Sequence, residues 1–314
     1  MSDKATWGEF SFIADYLSPL NDASALGLAD DAALYQPPNG FDVVITTDSL
    51  VEAVHFPAAA APDLVARRAL ACNISDLAAK GAKPVGCLMN LGIAPHWDGV
   101  WLRGFAAALG DGLKHWGVSL WGGDTVKSAT PFVSLTLHGL VPHGQMVKRS
   151  GAQIGDDVYV TGTIGDGFLG LKDMSAAYAD PKPPLALGQG LVGLATAALD
   201  ISDGLLADLD HLCQASACAM QINAAAIPLS EAGRAYATDD KGLGALLGGG
   251  DDLQIAFTAD PSKADALAAL ASETQTQISK IGAVQQGEEH AHQAILCDEN
   301  GHPMDVARRG YRHF

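Results

Sequence analysis

The run Val43-Val44-Ile45 constrains this chain more than any other stretch. Three consecutive β-branched residues favour a buried strand over a helix. Thr46, Thr47 and Asp48 follow at once, two hydroxyls and a carboxylate where the strand is expected to leave its sheet, with His55 a short way on. Strand ends are where α/β folds gather ligand chemistry. Hard oxygens at such an end suit Mg²⁺, which takes carboxylate, carbonyl and water oxygens. The same residues also make an ordinary capped turn, with Thr and Asp bonding local amides. Carboxylates elsewhere in the chain have to decide between the two.

The 314 residues are enough for two domains with proper cores, and 48% hydrophobic against 18% charged residues describe a folded chain. The formal net charge of −17 argues against nucleic acid or an anionic membrane as the main partner, since both reward Lys and Arg. A polyphosphate remains possible, provided divalent cations stand between it and the carboxylates. The opening MSDKATWGEF has neither the basic nor the apolar region of a signal peptide, and no apolar run reaches membrane length. A cytoplasmic protein is expected. Cys72, Cys87, Cys213, Cys218 and Cys297 show no zinc-type spacing and read as reduced structural thiols.

Along the chain, carboxylates recur beside turns and helix starts. Asp30 and Asp31 adjoin with no Lys or Arg near them in sequence, so they are either an exposed turn or share a cation. A helix is expected from Pro62 to about Lys80, stopping at Gly81. It carries Asn73 and Asp76 on one face, in the apolar setting ALACNISDLAA where a carboxylate needs partners. A strand over Pro84–Ile93 and a helix over Trp97–Trp116, closed by Gly117, come next. Val118 to Trp121 reads as a short strand running into Gly122-Gly123-Asp124-Thr125, a tight turn or a close approach to a ligand. The polar segment Pro142 to Gly151 is the expected boundary and holds Lys148 and Arg149, a solvated linker or a phosphate clamp. The domains are taken as 1–147 and 148–314.

In the second half, a strand over Asp157–Thr161 precedes Gly165 to Gly170, a formal but weak dinucleotide-loop match. A helix is expected over Leu185–Ala198. Asp200-Ile201-Ser202-Asp203-Gly204 then opens another, either as a simple cap or as a seat for metal-bound phosphate. Gly248 to Asp252 is a flexible turn or a ligand-hugging loop bearing carboxylates. The His290-Ala291-His292 run is too sparse for a metal site, and no GxSxG, HExxH or Walker A motif is present.

Each motif is ordinary; their order is not. GEF, GLADDAAL, TTDSLVEAVHF, NISDLAAKGAKP, WGGDT, VKRSGA, VYVTGTIGD, DISDGLLADL, GGDDLQIAF and GYRHF together resemble the thiamine-monophosphate kinase family over Gly8 to Phe314. The resemblance implies a two-domain synthetase-like α/β (α+β) fold: an N-terminal sheet domain that binds ATP and Mg²⁺ and dimerises, then a C-terminal α/β domain. It implies ATP-dependent phosphorylation of thiamine monophosphate to thiamine diphosphate with several Mg²⁺ ions, by a homodimer. By the family pattern Asp31, Thr46, Thr47, Asp48, Asp76, Asp124, Asp200 and Asp203 look like metal ligands, with Asp30 beside them. Asp48, Asp76, Asp124 and Asp203 take the catalytic part. Gly123, Asp124, Arg149 and Ser202 look like nucleotide contacts, and His55, Asp251 and Tyr311 match substrate-holding positions.

The chain departs from the family at Asp251, where Glu is usual, at Leu253-Gln254 for a Tyr-Glu pair, at Ala29 for Gly and at Pro184 for Arg. A sister synthetase of the superfamily and a silent nucleotide-binding paralogue are the competing readings.

Overall fold

The computed structural model describes residues 9–287 and 292–311. Gly8, His290, Ala291 and Arg312 to Phe314, all part of motifs named above, lie outside the described residues. The chain divides into two compact units, Met1–Ile74 with Pro84–Pro142, and Ser75–Lys83 with His143–Phe314.

The first unit contains α1 (Glu9–Phe12), most of α2 (Pro62–Ala79), α3 (Gly99–Trp116) and a four-stranded sheet. Its strands are β1 (Phe41–Val51), β2 (Lys83–Ile93), β3 (Ser119–Lys127) and β4 (Phe132–Pro142), in the order β1-β4-β2-β3. Helix α3 forms because Leu102, Phe105, Ala106, Leu109 and Leu113 recur at helical spacing and are buried. The Asp98 side chain accepts from the Val100 and Trp101 amides at 3.0 and 2.9 Å, and Gly117 closes the helix in the left-handed conformation. Trp97, Trp101 and Phe105 stack in succession, with centroids 3.8 and 5.6 Å apart.

Strand β1 pairs antiparallel with β4 along its whole length. Val44 and Leu50 are buried on one face while Val43 and Ile45 are exposed on the other, as expected of a sheet with one open side. On that open side the Thr136 hydroxyl donates to Thr47 Oγ1 at 3.0 Å and Ser49 to Ser134 at 2.8 Å. Thr46 to Asp48 therefore do not end the strand. They sit in its middle opposite Leu137, Thr136 and Leu135, because ladder pairing carries the backbone past the point where local propensity would stop it. Likewise β3 does not turn at Gly122-Gly123 but runs on to Lys127, parallel to β2.

The second unit holds β5 (Asp157–Thr161), β6 (Ala197–Ile201), β7 (Ala219–Asn223), β8 (Gln254–Ala259), β9 (Ile278–Gln285) and β10 (Ala294–Cys297). Its helices are α4 (Asp166–Asp173), α5 (Ala176–Ala179), α6 (Leu185–Gly190), α7 (Leu205–Ser216), α8 (Glu231–Tyr236), α9 (Asp240–Leu247) and α10 (Ala264–Thr274). The sheet order is β10-β7-β9-β5-β8-β6, and β5 is antiparallel to both neighbours. The Gly165–Gly170 run thus follows a strand that is not in the parallel setting of a dinucleotide site.

Both faces of this sheet are covered. Val158 and Val160 join a core with Leu206 and Leu209 of α7, while Tyr159 stacks on Phe257 at 5.2 Å in a second core with Leu187 of α6. The helix expected over Leu185–Ala198 stops at Gly190. Gly193 turns with φ +77°, and Ala197 to Ile201 become strand β6 by pairing with β8. Among the described residues no helix is long and apolar enough to cross a membrane.

Candidate active site

In the first unit, the open face of the sheet borders a cavity of about 840 Å³ whose wall includes Asp30, Asp31, Asn90, Gly123, Asp124 and Thr125. Asp30 Oδ1 accepts the Asp31 amide and Asp124 Oδ1 the Thr125 amide, each at 2.9 Å, which fixes both carboxylates by local turns. Gly123 has φ +143°, and a Cβ there would lie 1.8 Å from the Met89 carbonyl oxygen, so only glycine permits this pairing of β3 with β2. Tyr35 stacks on Trp121 at 4.5 Å in the same cavity, and burial lowers the pKa of His138 beside them.

Strand alternation puts Thr46 and Asp48 on the face of Val44 and Leu50, and Thr47 on the opposite one. The three residues are thus not a single cluster. His55 is held by its own turn: its Nδ1 accepts the Val51 amide at 3.0 Å, which leaves the proton of the neutral ring on Nε2.

In the second unit, Asp200 is buried on β6 next to the strand's last residue, Ile201. Ser202 and Asp203 follow in a loop gathered by a side chain outside the sequence-derived set. The amides of Ser202, Asp203 and Gly204 all donate to Asp208 Oδ2, at 3.1, 3.1 and 3.0 Å. Burial, with the Asp203 charge adding to it, pushes the Asp208 carboxyl up to about 7 against the pull of those amides. The same loop carries its neighbours on its carbonyls: Asp251 N–H donates to Ser202 O and Tyr311 N–H to Asp203 O, both at 2.8 Å. Arg309 clamps the Tyr311 segment with a two-pronged bond to Asp210 at 2.7 and 2.6 Å. Asp200, Ser202, Asp203, Asp251 and Tyr311 are therefore brought together.

Asp76, Arg149 and Asp200 converge electrostatically on Lys80. Its ammonium is mostly buried and donates to Ala198 O at 2.7 Å. Burial, then repulsion by Arg149, pushes Lys80 down to about 8, while Asp200 and Asp76 pull the other way.

Asp252 repeats the Asp208 device. It takes the Gly165 amide at 2.9 Å and the Gly167 amide at 3.0 Å, which pins the start of α4 beside the Asp251 loop. Burial pushes this carboxyl up to about 7, opposed by the two amides and assisted by Asp166 and Asp251. A raised folded-state pKa means that the folded protein keeps a proton which the unfolded chain releases near 3.8. The stabilisation is complete below that pH and is lost as pH rises through about 7. Denaturation midpoints of wild type and Asp252→Asn across this range should diverge, with wild type losing ground as pH rises. Parallel profiles would rule the titration out.

Among the described residues, no three His, Cys, Asp or Glu side chains already stand close enough to hold a metal. Carboxylates with neighbouring Thr, Ser and Asn oxygens nevertheless fit Mg²⁺, which keeps several waters and reaches a protein through one or two carboxylates and the phosphates it carries.

Residues 29–141 match the family described as AIR synthase related protein, N-terminal domain. The thiamine-monophosphate kinase of Caulobacter vibrioides is 38% identical, over 97% of this chain and 90% of its own length. The chain belongs to the thiamine-monophosphate kinase family. The crystal structure of the family's enzyme from Stenotrophomonas maltophilia K279a is 33% identical, with a TM-score of 0.82 over 93% of this chain and 97% of that one. A structure of AaThiL complexed with AMPPCP and TMP is 26% identical, with a TM-score of 0.75 over 98% and 97%.

Two of the chain's departures from the family pattern have structural work of their own. Leu253 is buried and its amide donates to Ile201 O at 2.8 Å, while Gln254 Oε1 accepts the Thr161 hydroxyl at 2.7 Å. They hold the Asp251 loop to β5 and β6. Lys80, Asp208 and Asp252 escape a reading of spacing, although a carboxylate inside the apolar run LLADL is the same signal that singled out Asp76.

Proposed function

We propose that this chain, as a cytoplasmic homodimer, transfers the γ-phosphoryl group of ATP to the phosphate of thiamine monophosphate, giving thiamine diphosphate and ADP, with Mg²⁺. The reading is carried by similarity to thiamine-monophosphate kinases over nearly the whole chain, and it makes sense of carboxylates mounted on both units.

Both reactants are anionic, so their repulsion is the main obstacle to in-line approach. Mg²⁺, when bound, supplies the neutralising charge and orients the transferred group. The protein's part is to hold those charges in place. In the first unit Asp30, Asp31 and Asp124 line the cavity on the open face of the sheet; of the proposed β1 ligands Thr47 shares that face, whereas Thr46 and Asp48 are on the other. In the second, Asp76, Asp200 and Asp203 take the corresponding role, with Arg149 and Ser202 as nucleotide contacts, while Gly123 and Asp124 are the nucleotide contacts of the first.

The attacking oxygen belongs to a phosphate with a second pKa near ~6, mostly ionised at neutral pH, so no strong general base is required. His55, whose Nδ1 accepts the Val51 amide, takes a binding role and not that of a base. Asp251 and Tyr311, tied to the Ser202-Asp203 loop, hold the thiamine side. Transfer is direct: the bond from the γ-phosphorus to the bridging oxygen of ADP breaks as the bond to the acceptor oxygen forms.

Incubation with γ-labelled ATP, MgCl₂ and thiamine monophosphate should put label in thiamine diphosphate and none on the protein. EDTA should abolish product. Nucleotide binding without product would place the chain with a sister activity or a silent paralogue, and labelled protein would overturn direct transfer.

A further inference from the structure

Asp76, Arg149 and Asp200 lie on three separate stretches of the second unit, and Lys80 is bonded into all three. Its amide donates to Asp76 O at 3.1 Å, one helical turn back. Its carbonyl accepts the Val147 amide at 3.3 Å, two residues before Arg149. Its ammonium donates to Ala198 O at 2.7 Å, two residues before Asp200, and the Ala198 amide returns to Lys148 O at 2.9 Å. The circuit closes on itself. An ammonium so placed is costly to bury unless opposite charge is near, and Asp76 and Asp200 provide it.

We propose that Lys80 is a positioning residue of the phosphoryl-transfer site, a fixed cation that keeps Asp76, Arg149 and Asp200 in register and competes with the divalent ion for the charge of the two carboxylates. The inference rests on the metal-dependent reading above. It assigns Lys80 two effects of opposite sign: it orders the ligands, and it weakens their hold on a metal so that the ion can leave with product. A lysine that only complements the C-terminal end of α2 would contribute to stability and leave metal affinity untouched.

The test is Mn²⁺ binding, followed by its paramagnetic resonance without nucleotide or turnover. The proteins compared are wild type, Lys80→Gln, which keeps a donor for Ala198 O, Lys80→Met and Lys80→Arg. Removing one charge at close range should tighten Mn²⁺ binding about tenfold in the Gln and Met variants, at the effective dielectric of a partly buried site. Lys80→Arg should bind as wild type does. In the kinase assay, kcat of the Gln variant should fall although its metal is held more tightly. Unchanged or weaker Mn²⁺ binding in folded Lys80→Gln overturns the inference, as does tighter binding in Lys80→Arg. Should Lys80→Met not fold, the Gln variant decides. A wild type that holds no Mn²⁺ overturns the metal reading and this inference together, whereas wild-type binding with unaltered variants overturns Lys80 alone.

Discussion

Asp203→Asn should lower kcat by at least about 100-fold while the melting temperature moves little. The loop around Asp203 is held by backbone groups: its amide by Asp208, its carbonyl by the Tyr311 amide. An isosteric amide leaves those bonds in place and removes only one carboxylate oxygen's charge. On the metal role proposed for Asp203, loss of one charged ligand costs on the order of 3 kcal/mol of transition-state stabilisation, which is the stated factor in rate. Asp208→Leu should differ, because it would leave the amides of Ser202 to Gly204 without their shared acceptor and loosen the fold as well. Near-normal kcat in Asp203→Asn would remove this residue from the metal set.

The largest effect on stability should come from Gly123→Ala. The added carbon would meet Met89 backbone, with the carbonyl oxygen at 1.8 Å and the carbonyl carbon at 2.6 Å, and no side-chain rotation relieves that. The backbone is also at φ +143°, which an alanine resists. Strands β2 and β3 would have to separate at the residue next to Asp124. A loss of ~3–5 kcal/mol is expected, enough to lower the melting temperature by roughly 10 °C or to leave the protein insoluble. Gly144→Ala makes the comparison: φ is again positive at +73°, but nothing lies within 4 Å of the added carbon. That variant should cost only about 1 kcal/mol. Equal stability of the two would mean that β2 and β3 are not as close as described.

Much of this was legible in the sequence where the cause is local. Gly117 closes a helix in both the sequence and the structure, because a cap acts on adjacent groups, whereas the expected start at Trp97 gives way to a start at Gly99 capped by Asp98. Asp157–Thr161 forms a strand to the residue, since five consecutive buried positions leave little else. What escaped was non-local. Thr46 to Asp48 look like an ending until β4 supplies a partner for each of them. Ala197 and Ala198 continue a helical-looking run, and only β8 draws them into a strand. Order of motifs served better than any one of them for the site: Asp200, Ser202, Asp203, Asp251 and Tyr311 are gathered by two carbonyls and one buried carboxylate. The gathering residues Asp208, Asp252 and Lys80 were the harder part, because their partners, such as Ala198 for Lys80, are often remote in sequence.

The stacked Trp97 and Trp101, with Trp121 against Tyr35, have a consequence for how this protein is watched in solution. Every tryptophan of the sequence, from Trp7 to Trp121, precedes residue 142, so the second unit contains none. Fluorescence excited selectively at tryptophan therefore reports on the first unit alone, the second having tyrosines such as Tyr159 and Tyr178 but no tryptophan. A melt read at tryptophan wavelengths follows the four-stranded sheet, one read by far-ultraviolet dichroism follows both sheets, and the gap between the two curves measures how far the units unfold apart.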